Sequence, residues 1–511
     1  MFTDQLLASS WLGILCLPLF CASCTGLFQR WTIARKLIGT GLGVGVLLWL
    51  LTLLTKHHGD EAALFYITEV NATLLLLIYF IAFIVMRYAQ ANFSGDPDNK
   101  RFLRGLMLTV FSVMVTVATN HLLVFWLSWV GISLNLHQLL IFYPNRPRAA
   151  LAAHKKFILA RFAELLLASA FGLLYLQHHT LSIAAIVSHY PMPVDGQLHI
   201  TALIIALVAL IKCAQLPLHG WLIQVVESPT PVSSLLHAGV INMGGYLLVL
   251  FAPLFDQSWL ARCLVLVIAG LSTVLASLIM TTRISIKVRL AWSTTAQMGL
   301  MLCECALGLY SLAMLHLLAH SCYKAHAFLS SGEEVNALLK RELIGNPFPS
   351  PKAWCASILS SLVLIAATIM LVGPSLPFSP WLLIGLAIAQ MLAWYFNETD
   401  QVFKWQGLLK ALVLLCGYTL AKAICNMWFV DLSYAYNMIA DAWLCLLFLV
   451  LFTVYLFLQY NPANFLARRV FIALNAGLYL DEWMTRQTLK WWPVHLPRTK
   501  LQPASLQVET I

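Results

Sequence analysis

Charge is scarce in this sequence. Lys, Arg, Asp and Glu make up 10% of its 511 residues against 60% hydrophobic ones, and the mean hydropathy is +0.82. A soluble domain of this length carries about 25% charged residues, so that class is excluded. Several chemistry-bearing motifs are missing too. There is no phosphate-binding Gly-rich loop ending in Gly-Lys-Ser/Thr, no Gly-x-Gly-x-x-Gly turn, no His-Glu-x-x-His and no iron–sulfur cysteine spacing. Such a chain is not expected to hydrolyse ATP, bind NAD or hold a redox centre, so its energy source should be an ion gradient or a partner. Its cysteines are scattered through apolar runs and suggest neither a zinc site nor a disulfide framework. Cys21 and Cys24, inside one such run, read as small packing residues. The net charge of +10 does not point to nucleic acid, because loop topology explains it in a chain this apolar.

What the chain has instead is a succession of apolar runs of about 20 residues, each long enough to cross a bilayer as a helix. They predict an all-α polytopic membrane protein with spans at 7–28, 37–54, 64–86, 102–119, 121–142, 155–176, 200–218, 231–254, 260–281, 286–308, 310–331, 353–373, 381–396, 407–428 and 434–459. The first run lacks a basic leader and a clear cleavage site and reads as a retained span. Basic residues gather in the loops after odd-numbered spans, as at Arg35 and Lys36, Lys100 and Arg101, Arg146 to Lys156, and Lys287 and Arg289. The opposite loops hold Lys56 and Arg262. This asymmetry places the amino terminus outside and the carboxyl terminus in the cytoplasm. The expected organisation is N-terminal helices over 1–100, a core over 101–400, further helices over 401–460 and a cytoplasmic amphipathic tail over 461–511. Gly332 to Lys352 reads as a polar connector, and the stretch from Pro493 as a mobile end.

The chain is organised around Ile211 to Leu248, IKCAQLPLHGWLIQVVESPTPVSSLLHAGVINMGGYLL. Lys212 lies in an apolar run that Pro217 then interrupts. Pro229 and Pro231 open the next run, which contains His237. A charge in hydrocarbon costs about 2.5–3.5 kcal/mol on insertion scales, so a retained one marks function. A helix break at membrane depth belongs where it is buried in protein or lines a cavity. Lys212 can hold and release a proton as a neighbouring charge changes. Snorkelling to a headgroup is the structural alternative, and the break at Pro217 argues against it. Arg161 and Glu164 share a helix face and can pair. His316, His320 and Lys324 recur every four residues and form either a proton wire or a polar seam. His237 is a relay or a packing histidine. Glu304, near an outer end, is an ion-path residue or simply meets water. Lys410 and Lys422 carry no assigned role.

The stretches KCAQLPLHGWL and ESPTPVSSLLHAGVINMGGYLL resemble the signature of proton-translocating membrane subunits, namely subunit 5 of NADH:quinone oxidoreductase and the large subunit of Mrp-type antiporters. NFSGDPDNKRF (92–102), FWLSWVGISL (125–134), KFILARFAE (156–164), SIKVRLAWSTTAQMG (285–299) and HLLAHSCYKAHAFL (316–329) match that pattern in order. The resemblance implies two inverted five-helix repeats with broken helices and a polar axis at mid-membrane. Carried over, Lys212 is the central lysine, His237 follows it on the next helix, Arg161 and Glu164 are the charged pair, and His316, His320 and Lys324 connect the axis. Two positions depart from the pattern. Val130 follows Trp129 where the family has a glutamate, and VGPSLPFSPW (372–381) keeps a proline-rich break but lacks a lysine. Both count against a standard antiporter or respiratory role.

Together with LNAGLYLDEW near the end, these features are most similar to the membrane subunits of Dab inorganic-carbon transporters. That resemblance implies a bacterial inner-membrane subunit that conducts protons or sodium ions. It also implies a large cytoplasmic partner, DabA, resembling β-carbonic anhydrase and carrying zinc, since CO2 hydration needs a metal-activated water. No cofactor is expected in this chain, which is read as a transporter subunit rather than an enzyme. Tyr479, Asp481 and Glu482, on a tail that suits a lipid interface or a partner, are the docking candidates. The alternatives are a subunit of a Mrp-type Na+/H+ antiporter or of a respiratory complex, and a membrane anchor that conducts nothing.

Overall fold

A computed structural model describes residues 2–23, 31–55, 63–143, 146–190, 196–333, 348–373, 377–398, 400–428 and 437–493. Cys24, most of the 332–352 connector, positions 374–376 of the second proline-rich stretch and the segment after Pro493 lie outside the described residues. Within them the chain is helical, and extended pairing is confined to the isolated bridges Phe65 with Thr119 and His121 with Ser182.

The helices run α1 (Phe2–Ser23), α2 (Trp31–Thr55), α3 (Glu69–Asn92), α4 (Asn99–Ala118), α5 (Leu122–Leu140), α6 (Pro147–His178), α7 (Ile183–Ser188), α8 (Gly196–Lys212), α9 (Gly220–Gln224), α10 (Thr230–Ala238), α11 (Met243–Leu250), α12 (Ala252–Gln257), α13 (Trp259–Thr281), α14 (Ile286–Ala306), α15 (Tyr310–Leu329), α16 (Pro351–Val372), α17 (Ser379–Asn397), α18 (Gln401–Trp428), α19 (Met438–Tyr460), α20 (Phe465–Asn475) and α21 (Leu480–Trp491). Among the described residues eleven segments, counting α10 and α11 as one, are long and apolar enough to cross a membrane. Local chemistry sets many of the ends. Ser182, Ser258, Ser350, Asn437 and Asn464 accept hydrogen bonds from backbone N–H groups at helix starts. Pro147 and Pro351 occupy first-turn positions where no N–H is needed.

Burial separates inner from outer helices. The α10–α11 segment is 89% buried, whereas α16 is 11% buried and presents Leu359, Leu362, Met370 and Leu371 outward. An outward apolar face suits hydrocarbon, where tight helix contact comes from small residues. Gly244 shows this on α11. A Cβ there would lie 2.6 Å from Cys213 Sγ and 2.7 Å from the Ala209 carbonyl of α8. Gly244→Ala should therefore destabilise the protein by about 1–3 kcal/mol through overpacking, seen as a lower melting temperature in detergent.

Two features differ from the sequence reading. Helix α6 begins at Pro147, so Lys155 and Lys156, counted above as loop residues, lie on a helix and are buried. Their partners, described below, make that burial tolerable. The run at 231–254 is also not one helix. It breaks at Gly239 and passes through a 3-10 turn, Val240–Asn242, before α11. Asn242 Nδ2 covers the break by donating to the Ala238 carbonyl at 3.2 Å and to Ser321 Oγ at 2.7 Å.

Candidate functional site

The first break follows α8. Lys212 is its last residue, Ala214 takes a positive φ of 50°, and the Leu216–Pro217 peptide is cis. Polar side chains replace the lost helical hydrogen bonds, as a break at membrane depth requires. The Leu216 N–H donates to Ser272 Oγ at 3.0 Å. Gln215 Nε2 donates to the carbonyls of Cys213 at 2.8 Å and Thr295 at 3.2 Å. The break is thus fixed by α13 and α14 and presents Lys212 to α5 and α6.

There Lys212 Nζ sits 4.5 Å from the centroid of the Trp129 ring, a cation–π contact. A small cavity beside it is lined by Trp129, Lys156, Glu164, Lys212 and Trp221. Arg161 Nη2 donates to Glu164 Oε1 at 2.7 Å and to Ser133 Oγ at 3.0 Å. Lys156 Nζ donates to the Ser133 carbonyl at 2.6 Å and to its Oγ at 3.1 Å. Sequence reasoning placed Lys156 in a loop, yet it completes the cluster: three cations surround one buried carboxylate. Trp129, read from sequence only as a family marker, is the surface on which Lys212 rests.

A second group lies on α10, α14 and α15. His237 is fully buried; its Nδ1 faces Thr294 Oγ1 at 3.1 Å, its ring stacks on Phe328 at 4.4 Å, and its Nε2 has no partner. Lys324, also fully buried, donates to the Leu290 carbonyl at 3.0 Å and Ser293 Oγ at 2.7 Å. Both ring nitrogens of buried His320 lack partners, and its centroid is 6.2 Å from that of His316. His316 Nδ1 lies 3.1 Å from both Glu304 oxygens. Glu304 is buried rather than facing water, and it lines a cavity with Ser379 and Tyr418. Among the described residues no hydrogen bond or ion pair joins Lys212 to His237, so the two groups are separate in this state. Lys410 Nζ donates to Tyr395 Oη at 2.6 Å, and Lys422 Nζ lies 5.8 Å from the centroid of Trp381.

Asp256 was not legible in the sequence, where an acidic residue between two spans reads as loop. It is buried at the end of α12, with Oδ1 accepting from Tyr310 Oη at 2.9 Å and Oδ2 unpartnered. Burial pushes its carboxyl from 3.8 up to about 6, against the opposing hydrogen bond from Tyr310 and the charge of Arg262. The folded protein therefore keeps this proton to higher pH than the unfolded chain does. The associated stability is complete below about pH 4 and is lost as pH rises through about 6. The melting temperature should fall across that window, and Asp256→Asn should remove that part of the slope in a thermal-shift titration.

The tail folds back on this machinery. Asp481 accepts hydrogen bonds from Lys155 and Gln224, Glu482 pairs with Arg486 at 3.1 Å on the surface, and Tyr479 is exposed. Among the described residues no group of three or more His, Cys, Asp or Glu side chains is arranged to hold a metal ion.

Residues 119–346 match the family described as NADH:quinone oxidoreductase/Mrp antiporter, TM. The chain is 46% identical over 447 residues to a probable inorganic carbon transporter subunit DabB of Hydrogenovibrio crunogenus, covering 86% of each chain. It is 34% identical to a probable inorganic carbon transporter subunit DabB2 of Halothiobacillus neapolitanus, over 84% of this chain and 81% of that one. Among solved structures it is similar in fold to a chain of the Mrp complex from Dietzia sp. DQ12-45-1b. That likeness has a TM-score of 0.62 at 18% identity and covers 94% of this chain and 59% of the other. An all-helical, multi-pass membrane protein of this fold, with that identity over most of its length, belongs to the DabB family of inorganic carbon transporter subunits.

Proposed function

We propose that this chain is the cation-conducting membrane subunit of an energy-coupled complex that accumulates inorganic carbon, and that the ion it moves is the proton. The observation that carries this reading is the cluster at the first break, where Glu164, Lys156 and Lys212 line one cavity beside an interrupted helix and Arg161 pairs with Glu164. Arg161 holds the Glu164 carboxylate, and Lys212 lies on the same cavity without bonding to it. Withdrawal of Arg161 from Glu164 changes the field at Lys212 and so its hold on a proton. The inward route runs through Glu164, Lys212, His237, His320 and Lys324, with His316 and Glu304 at its outer part. The unpartnered nitrogens of His237 and His320 suit transient hydrogen bonding along it.

The finer architecture belongs to the same reading. It has fifteen spans with two inverted five-helix repeats, a core over 101–400 flanked by helices over 1–100 and 401–460, and a cytoplasmic tail over 461–511 in a bacterial inner membrane. The amino terminus is outside. Support comes from the basic residues gathered at the end where the tail docks: Arg146 donates to the Glu227 carbonyl at 3.2 Å, Lys287 to Thr230 at 2.8 Å, and Lys155 to Asp481. A large cytoplasmic subunit of the DabA type carries the zinc and the carbonic-anhydrase-like chemistry. It meets the exposed side of the tail at Tyr479 and Glu482, while Asp481 fixes the tail's seat.

A mild-detergent pull-down of the tagged protein, followed by mass spectrometry and zinc analysis, tests the assembly. One large zinc-bearing soluble partner is the expected result. A set of small membrane subunits without zinc would instead support an antiporter or respiratory role, the reading that the family match over residues 119–346 favours.

A further inference from the structure

The side chain of Lys155 is 0% exposed, and its amine is committed to the tail. Nζ donates to Asp481 Oδ1 at 2.9 Å, to Oδ2 at 2.7 Å and to Thr485 Oγ1. The same carboxylate receives Gln224 Nε2 at 2.9 Å, and Thr485 Oγ1 lies 3.4 Å from Oδ2. Gln224 ends α9, the helical piece that resumes after the break at Lys212. Its first residue, Gly220, packs directly on the carboxylate: a Cβ there would fall 1.5 Å from Asp481 Oδ1. At the far end of α21, Trp492 stacks on His154 of α6 at 3.9 Å and 10°. The tail helix is therefore fastened at both ends to α6, and through Asp481 to α9 as well.

Those two elements carry the two sides of the ion site. Helix α6 bears Lys156, Arg161 and Glu164, and the chain entering α9 bears Lys212. Displacement of α9 against α6 cannot leave Asp481 in place, because its oxygens are bonded to both. The neighbouring Lys156 cannot substitute, since its amine is held by Ser133. We propose that Lys155 and Asp481 are the coupling pair of this protein, converting rearrangement around Lys212 into displacement of α21. The outward side of that helix, with Trp483 on it and Tyr479 just before its start, both more than 60% exposed, passes the displacement to the cytoplasmic subunit. This inference rests on the ion-conducting reading above.

The test uses the whole complex in sealed vesicles, with proton uptake and bicarbonate accumulation measured in parallel. Asp481→Asn keeps the shape and removes the charge. The coupling role predicts an assembled complex whose proton uptake stays within twofold of the wild type while bicarbonate accumulation falls at least tenfold. Gly220→Ala should give the same uncoupled behaviour, and the exchanged pair Lys155→Asp/Asp481→Lys should recover part of the accumulation. If Asp481→Asn fails to assemble, Gln224→Met is read instead; it removes the α9 arm and leaves the ion pair, and uncoupling is again expected. Loss of both fluxes together in an assembled variant, or accumulation at the wild-type level, overturns the inference. Lys212→Ala serves as the reference. Were it to keep both fluxes, the ion-conducting reading itself would fail, whatever Asp481→Asn did.

Discussion

Lys212→Ala is expected to abolish carbon accumulation and leave the complex assembled. Cells carrying it should fail to grow at air levels of CO2 and recover when CO2 is supplied in excess. Lys212 Nζ makes no hydrogen bond within the described residues and rests on the face of Trp129 at 4.5 Å. Removing it takes away a cation and a cation–π contact worth about 0.5–2 kcal/mol, but orphans no partner. The surrounding fold is held by other groups, with Gln215 and Ser272 securing the break. A large loss of function with little loss of assembly is therefore the signature of a residue kept for ion movement. Lys212→Arg would be a poor substitute despite its charge, because a guanidinium does not release its proton. Normal growth of either variant at air levels of CO2 would count against the role.

Glu164→Gln should show the opposite pattern, losing both function and stability. Among the described residues the Glu164 carboxylate is the one anion facing Arg161, Lys156 and Lys212. Breaking a buried pair from one side costs about 3–5 kcal/mol. Arg161 is partly exposed, with 30% of its side chain accessible, so screening brings the expectation toward the lower end of that range. The purified variant should melt earlier than the wild type, and carbon accumulation should be lost. Adding Lys156→Met removes one of the orphaned cations. The double variant should regain thermal stability without regaining transport, which separates the two contributions. Recovery of transport along with stability would mean that Glu164 is needed for packing alone.

Much of this site is legible in the sequence because a membrane makes charge conspicuous. Lys212, Glu164, His320 and Lys324 stand out as ionisable residues in apolar runs, and Pro217 announces the break beside one of them. The i, i+3 spacing of Arg161 and Glu164 places them on one helix face, where the structure pairs them at 2.7 Å. Other features depend on contacts that spacing cannot show. Lys155 and Lys156 look like loop residues because basic residues normally end a span. Their burial depends on Asp481, 326 positions away, and on Ser133 of a neighbouring helix. The kink at Gly239 is hidden because no proline marks it and the apolar run continues through Ala238, Val240 and Ile241. Its cost is met by Asn242 reaching Ser321 of α15. Asp481, read from sequence as an outward docking residue, has its carboxylate engaged within the chain. A local pattern does not reveal which side of a short amphipathic helix folds back onto the core.

On the proposed reading, ion movement through this chain drives carbon accumulation. Its most direct test is bicarbonate accumulation in sealed vesicles holding the whole complex, with an inward proton gradient as the sole energy source. Accumulation should begin when the gradient is imposed, collapse on adding a protonophore, and be absent with Lys212→Ala. Accumulation that persists without the gradient, or that survives Lys212→Ala, would contradict it.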